Sequence, residues 1–227
     1  MTWVWPSLAV LALATVALGT VSARPQPAPL DPVALAAAIQ HRYDAVRDFT
    51  ATFVHEYRGG VLRKTAVERG TVRFKKPGMM RWAYTTPEKK EFVSDGTRLY
   101  AYVPEDRQVT VSEMPPGDQA STPAMFLAGR GNLVRDFVAT APSGTNALSD
   151  TVSVTFTSKR PSSDFEWMTL AVDRTTFQIR GLTTADAQGG RSSFTFTGIR
   201  ENTGLRDSDF RFIIPRGVDV ITNNSSR

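Results

Sequence analysis

Two histidines, His41 and His55, and no cysteine among 227 residues leave this chain little equipment for covalent or metal chemistry. Without cysteine there is no disulfide framework, thiolate zinc site, thiol nucleophile or thiol for a lipid anchor. Two imidazoles do not make a histidine-rich metal centre, and no Gly-x-Ser-x-Gly elbow presents a serine nucleophile. Asp95, Asp106, Asp173 and Asp186 stand beside turn signals, where solvation accounts for them, and no pair of carboxylates suggests a general acid and base. Gly129-Arg130-Gly131 is far from a phosphate loop and reads as a helix end. His55 lies on an alternating stretch and reads as a packed or surface residue. Asn223-Asn224-Ser225 is a chance sequon in a tail. The formal net charge of +5 comes from scattered lysines and arginines, which read as solubilising charge and not as a nucleic-acid module. Nothing here proposes an enzyme or a cofactor.

What stands out is apolar. Ser121-Thr122-Pro123 gives an N-cap followed by proline, and Ala124-Met125-Phe126-Leu127-Ala128 then runs without a polar residue to Gly129. A short helix apolar on every side must be covered all round. It either plugs a core, or forms a lid over an apolar cavity, hinged at Met114-Pro115-Pro116-Gly117.

The elements around this segment are mostly strands. Asp31-Pro32 predicts a helix start, with Leu35, Ile39, Tyr43 and Val46 forming one apolar stripe that ends near residues 46–48. From Thr50 the period becomes two: Ala51, Phe53, His55 and Tyr57 alternate up to a Gly59-Gly60 turn, as do Val72 and Phe74, Trp82 and Tyr84, Val152 to Phe156, and Phe194 and Phe196. Turns are expected at Lys76-Pro77-Gly78, Thr86-Pro87, Asp95-Gly96, residues 104–107, residues 173–176 and Gly189-Gly190. This pattern predicts one β-rich domain of about ten or eleven antiparallel strands. Residues 1–23 carry no charged side chain and end in Val21-Ser22-Ala23, which predicts a cleaved signal peptide; residues 24–30 read as an extended leader, and 31–227 as the domain. An exported chain is a poor partner for nucleic acid.

Three stretches together resemble the LolA family of periplasmic outer-membrane lipoprotein carriers: Gly70-Thr-Val-Arg-Phe-Lys-Lys-Pro-Gly-Met-Met-Arg-Trp82, Phe92-Val-Ser-Asp-Gly-Thr-Arg-Leu-Tyr100, and Thr122-Pro-Ala-Met-Phe-Leu127. The helix opening at Asp31 and the ending from Phe210 to Val220 are similar too. The resemblance implies a mainly β (α+β) fold, an incomplete antiparallel β-barrel of about 11 strands covered by an N-terminal helix and a short helical lid. It implies a monomer without cofactor that takes acylated lipoproteins from an inner-membrane ABC release complex to an outer-membrane acceptor lipoprotein. It also turns the choice for the middle helix to lid, with Met125, Phe126 and Leu127 on it. Phe49, Trp82 and Phe92 then line the cavity, with Met80 and Leu99 added as their neighbours. The family's latch arginine, which bonds lid backbone, corresponds to Lys76, whose flexible point charge lacks the planar fork of a guanidinium. A lysine there should hold a lid less firmly, unless Arg73 or Arg81 takes over. The alternative on the same half-barrel is a lipid- or lipoprotein-sensing binding module of the envelope, without transfer.

Overall fold

Asp31 caps the first helix as its sequence position demands, its carboxylate accepting from the backbone N–H of Val33 (3.1 Å) and Ala34 (3.4 Å), with Pro32 in the first turn. The computed structural model describes residues 31–59, 64–114, 122–142, 148–160 and 165–223. The expected signal peptide and leader, Gly60, the Pro115-Pro116-Gly117 hinge, Ser121 and the Asn224-Ser225 part of the sequon lie outside them. In chain order the elements are α1 (Pro32–Asp44), β1 (Asp48–Arg58), β2 (Thr65–Lys75), β3 (Met79–Thr86), β4 (Lys90–Asp95), β5 (Arg98–Val103) and β6 (Gln108–Glu113). There follow two short helices, α2 (Pro123–Leu127) and α3 (Leu133–Asp136), then β7 (Phe137–Thr140), β8 (Thr151–Ser158), β9 (Trp167–Asp173), β10 (Ile179–Ala185) and β11 (Arg191–Glu201). A 3-10 turn (Asp207–Phe210) leads to β12 (Asp219–Asn223).

Among the described residues, all twelve strands form one sheet in the order β12-β6-β5-β4-β3-β2-β1-β11-β10-β9-β8-β7, and the two outermost strands do not pair to close a barrel. Every neighbouring pair is antiparallel except β12 and β6, which run parallel. The count therefore exceeds the expected eleven, and a wholly antiparallel sheet becomes a mixed one. β12 escaped the alternation rule because none of its side chains is buried, so no period of two is written into it. Its position follows instead from the preceding segment, where the Phe212 ring stacks on Tyr100 of β5 at 5.3 Å and delivers the chain beside β6.

Curvature comes from the long central strands. Between β1 and β11 the register slips at Thr50/Thr52, and Gly198 supplies a φ of +60° at that irregularity. Across β1 and β2, Phe53 stands directly opposite Gly70. A Cβ on Gly70 would lie 2.8 Å from the Phe53 ring and 2.2 Å from the Ala83 carbonyl oxygen, so glycine is what lets the ring lie flat over the neighbouring strands. The inward residues of β1, β2, β3, β8, β9 and β11 join the apolar stripe of α1 in one buried cluster.

Candidate functional site

Along β1 the inward positions are Phe49, Ala51, Phe53 and His55, and register places them beside Phe74, Val72, Gly70 and Glu68 of β2. β3 contributes Met80, Trp82 and Tyr84, and β11 contributes Phe194 and Phe196. The result is an aromatic floor. Phe53 meets Trp82 edge-on at 5.2 Å and Tyr84 at 4.8 Å; Phe74 meets Phe49 at 4.8 Å and Trp82 at 5.4 Å; Phe194 approaches Trp82 at 5.1 Å.

α2 closes one end of this floor. Thr122 caps it by accepting from the Met125 N–H (3.2 Å), and Phe126 and Leu127 are fully buried. The Phe126 ring lies 5.1 Å from that of Tyr43 on α1. Of the residues expected to line a cavity, Phe49, Met80, Trp82, Phe126 and Leu127 all belong to the main buried cluster, and Phe92 and Leu99 pack against it while half-buried. Met125 is buried but stands outside that cluster. α2 is thus tucked into the buried cluster against the C-terminal turn of α1, at that end of the floor. Beside it a shallow groove open to solvent lies between α1, the β9–β10 turn and β11, lined by Tyr43, Phe49, Phe177 and Ile199 and by the Arg42–Glu201 ion pair.

The fastenings of α2 and the segment after it are backbone carbonyls and long polar side chains. The Tyr43 hydroxyl donates to the Leu127 carbonyl, the Gly78 N–H donates to the Ala128 carbonyl (2.7 Å), and the Arg130 guanidinium donates to the Gly96 carbonyl (3.0 Å). Gln40 of α1 accepts from the Leu133 N–H just beyond (2.7 Å). Burial drives the Tyr43 pKa upward, with the Glu201 charge adding to it, so the phenol stays protonated as a donor. Lys76 stands beside the end of α2, its ammonium bonded to the Tyr43 carbonyl (2.5 Å) and 4.0 Å above that ring, and not to α2 backbone. Burial lowers its pKa, against the pull of Asp44. Its aliphatic stem packs where a Cβ on Gly129 would sit, at 2.2 Å, and Gly129 itself has a φ of +81°. Of the stand-in cations, Arg81 instead pairs with Glu91 (2.8 Å) and the Asp209 carbonyl.

At the far end of the floor lies a polar group that the sequence reading did not assemble. Glu68 accepts from Lys90 (2.5 Å) with one oxygen and bonds His55 Nδ1 (3.0 Å) with the other. The signal was an inward polar position two residues beyond Phe53 on an alternating strand; its partners needed the β1–β2 and β3–β4 registers.

The family described as "Outer membrane lipoprotein carrier protein LolA" matches residues 44–213. An outer-membrane lipoprotein carrier protein of Ralstonia nicotianae is 32% identical over 163 residues, covering 72% of this chain and 73% of the relative. One of Cupriavidus taiwanensis is 30% identical over 165 residues, covering 72% and 75%. Among solved structures, an uncharacterized conserved protein from Thermus thermophilus matches with a TM-score of 0.50 at 12% identity, over 84% of this chain and 98% of the other, a likeness of fold.

Proposed function

Since the chain belongs to the outer-membrane lipoprotein carrier (LolA) family, whose members are carriers and not enzymes, we propose that it binds the acyl chains of lipoproteins on the aromatic floor beneath α2. The carrier works in the periplasm after export through residues 1–23, receives cargo from an inner-membrane ABC release complex, and passes it to an outer-membrane acceptor. The observation that supports this reading is the apolar α2 at the end of the aromatic floor: Phe126 and Leu127 are fully buried, with Phe126 against the Tyr43 ring, yet the segment is fastened by a handful of hydrogen bonds.

The physics explains why such a lid suits transport. Each buried CH₂ of an acyl chain is worth about 0.8 kcal/mol. Several long chains on a ready-made cavity would therefore amount to tens of kcal/mol, beyond the limit of reversible binding at roughly −18 to −21 kcal/mol. Here cargo must first displace Met125, Phe126 and Leu127, which forfeits roughly 5–9 kcal/mol of their burial. Net affinity falls, and the closing lid favours release. Methionine and phenylalanine suit both tasks, since a flexible thioether and a flat ring pack well against lipid or against the floor.

Phe126→Glu tests this directly. The lid can carry the carboxylate into water, so the domain stays folded, but an apolar chain loses its cover. Titration with a fluorescent fatty-acyl probe should show at least about tenfold weaker binding. Unchanged binding would remove the acyl site from beneath α2. Soluble transfer of lipoprotein from inner-membrane vesicles to acceptor-bearing membranes separates a carrier from a sensor on the same fold.

A further inference from the structure

The polar group at the end of the floor away from α2 has an unused hydrogen-bonding atom. His55 is held from three sides: Nδ1 by Glu68 of β2, one face by the Phe194 ring of β11, stacked at 4.1 Å and within 4° of parallel, and an edge by Tyr84 of β3 at 6.1 Å. Lys90, at the start of β4, bonds Glu68 and lies 4.5 Å over the Tyr84 ring, so the carboxylate is neutralised before it meets the imidazole. Among the described residues, His55 Nε2 is buried without a hydrogen-bond partner. We propose that His55 Nε2 is a docking point for the amide N–H of an amide-linked acyl chain, so that the carrier distinguishes N-acylated from purely ester-linked lipid. This rests on the acyl-carrier reading above.

Proton accounting gives the polarity of the site. An ionised carboxylate can only accept, so the Glu68–His55 bond places the proton on Nδ1. Burial, the largest influence, pushes the His55 pKa below its ordinary value of 6.5, Glu68 pulls it back up, and Lys90 pushes it down again; the net is downward. The ring is therefore neutral near pH 7, and Nε2 presents a lone pair. An ester offers that atom only further acceptors, whereas a secondary amide offers one N–H. The floor sets the direction of the chain: His55 stands six residue steps along β1 from Phe49, about 20 Å of extended strand. An acyl chain with its amide at His55 would thus run along the rings towards the lid.

The test uses the full-length mature protein carrying a fluorescent acyl probe, displaced by N-methylpalmitamide or by methyl palmitate. Wild type should prefer the amide by about fivefold to tenfold. His55→Phe keeps the stack on Phe194 and should bind both alike. Glu68→Gln can donate to Nδ1 and let the proton move to Nε2, so it should erase the preference with the ring still in place. Lowering the pH through the histidine range should erase it in wild type by protonating the same nitrogen. Equal displacement by the two compounds in wild type, or a preference that survives both substitutions, overturns the docking point while leaving the carrier intact. Displacement by neither overturns the carrier reading, and this proposal with it.

Discussion

Tyr43 does three things from one position on α1. Its ring packs on Phe126, its hydroxyl donates to the Leu127 carbonyl, and its own carbonyl receives the Lys76 ammonium. Periodicity predicted that the ring would be buried, because Tyr43 sits on the apolar stripe with Leu35 and Ile39, but not that Phe126 would be its partner. The hydroxyl bond was not legible, since its acceptor lies 84 residues away; only the general rule that a buried phenol finds a partner pointed there. Tyr43→Phe removes that fastening from the shut form alone. We expect a loss of about 1 kcal/mol in denaturant stability together with an acyl-probe affinity about fivefold tighter, because the shut form competes with cargo. An affinity that weakens in step with stability would contradict a lid that opposes binding. Lys76 shows the same division: the family resemblance drew attention to its position, while its acceptor on α1 required the coordinates.

Among the elements, those whose boundaries are set by local chemistry were readable. Asp31-Pro32 starts α1, and the turns at Lys76-Pro77-Gly78 and Asp95-Gly96 end strands where expected. Both turns also position lid contacts: Gly78 donates to Ala128, and Gly96 accepts from Arg130. That pairing of β-turns with α2 depends on sheet curvature and could not be read from spacing. It does suggest a lock. An ideal Cβ at position 129 lies 3.0 Å from that of Lys76, about 0.5 Å short of the roughly 3.5–4.5 Å that disulfides span, and replacing the lysine stem frees space for the small outward shift a bridge needs. The chain has no other cysteine to interfere. A Lys76→Cys/Gly129→Cys double variant should bind acyl probe at least about tenfold more weakly when oxidised and recover on reduction. Equal binding in the two redox states would mean that α2 need not move.

Over the whole molecule, several carboxylates tie distant segments together. Asp48 of β1 is buried and accepts from the Thr203 N–H (2.7 Å), the Thr203 hydroxyl (2.9 Å) and the Gly204 N–H (3.1 Å). Burial pushes its pKa up, but those bonds outweigh it and leave it low. Glu68 and Asp95 show the same contest with the same outcome, and Arg135 holds Asp136 down. A pKa lowered in the folded state gives stability that is present above the unfolded value and lost as pH falls through the folded one. The melting temperature should therefore decline below the ordinary carboxyl range. His55, also lowered, should add an earlier decline starting below about pH 6.5 that His55→Phe abolishes. A melting temperature flat across both ranges would refute these assignments. The sheet as a whole was legible up to its rim: alternation marks the strands that bury a face, and β12, which buries none, left no trace in the pattern. That unsealed rim has a mechanical consequence. A closed cylinder of strands has its diameter set by strand number and stagger, whereas a sheet with an unstitched seam can alter its girth by small changes of twist spread over many ladders. Cargoes of unequal bulk can then be housed by flexing the wall, with no inter-strand bond surrendered.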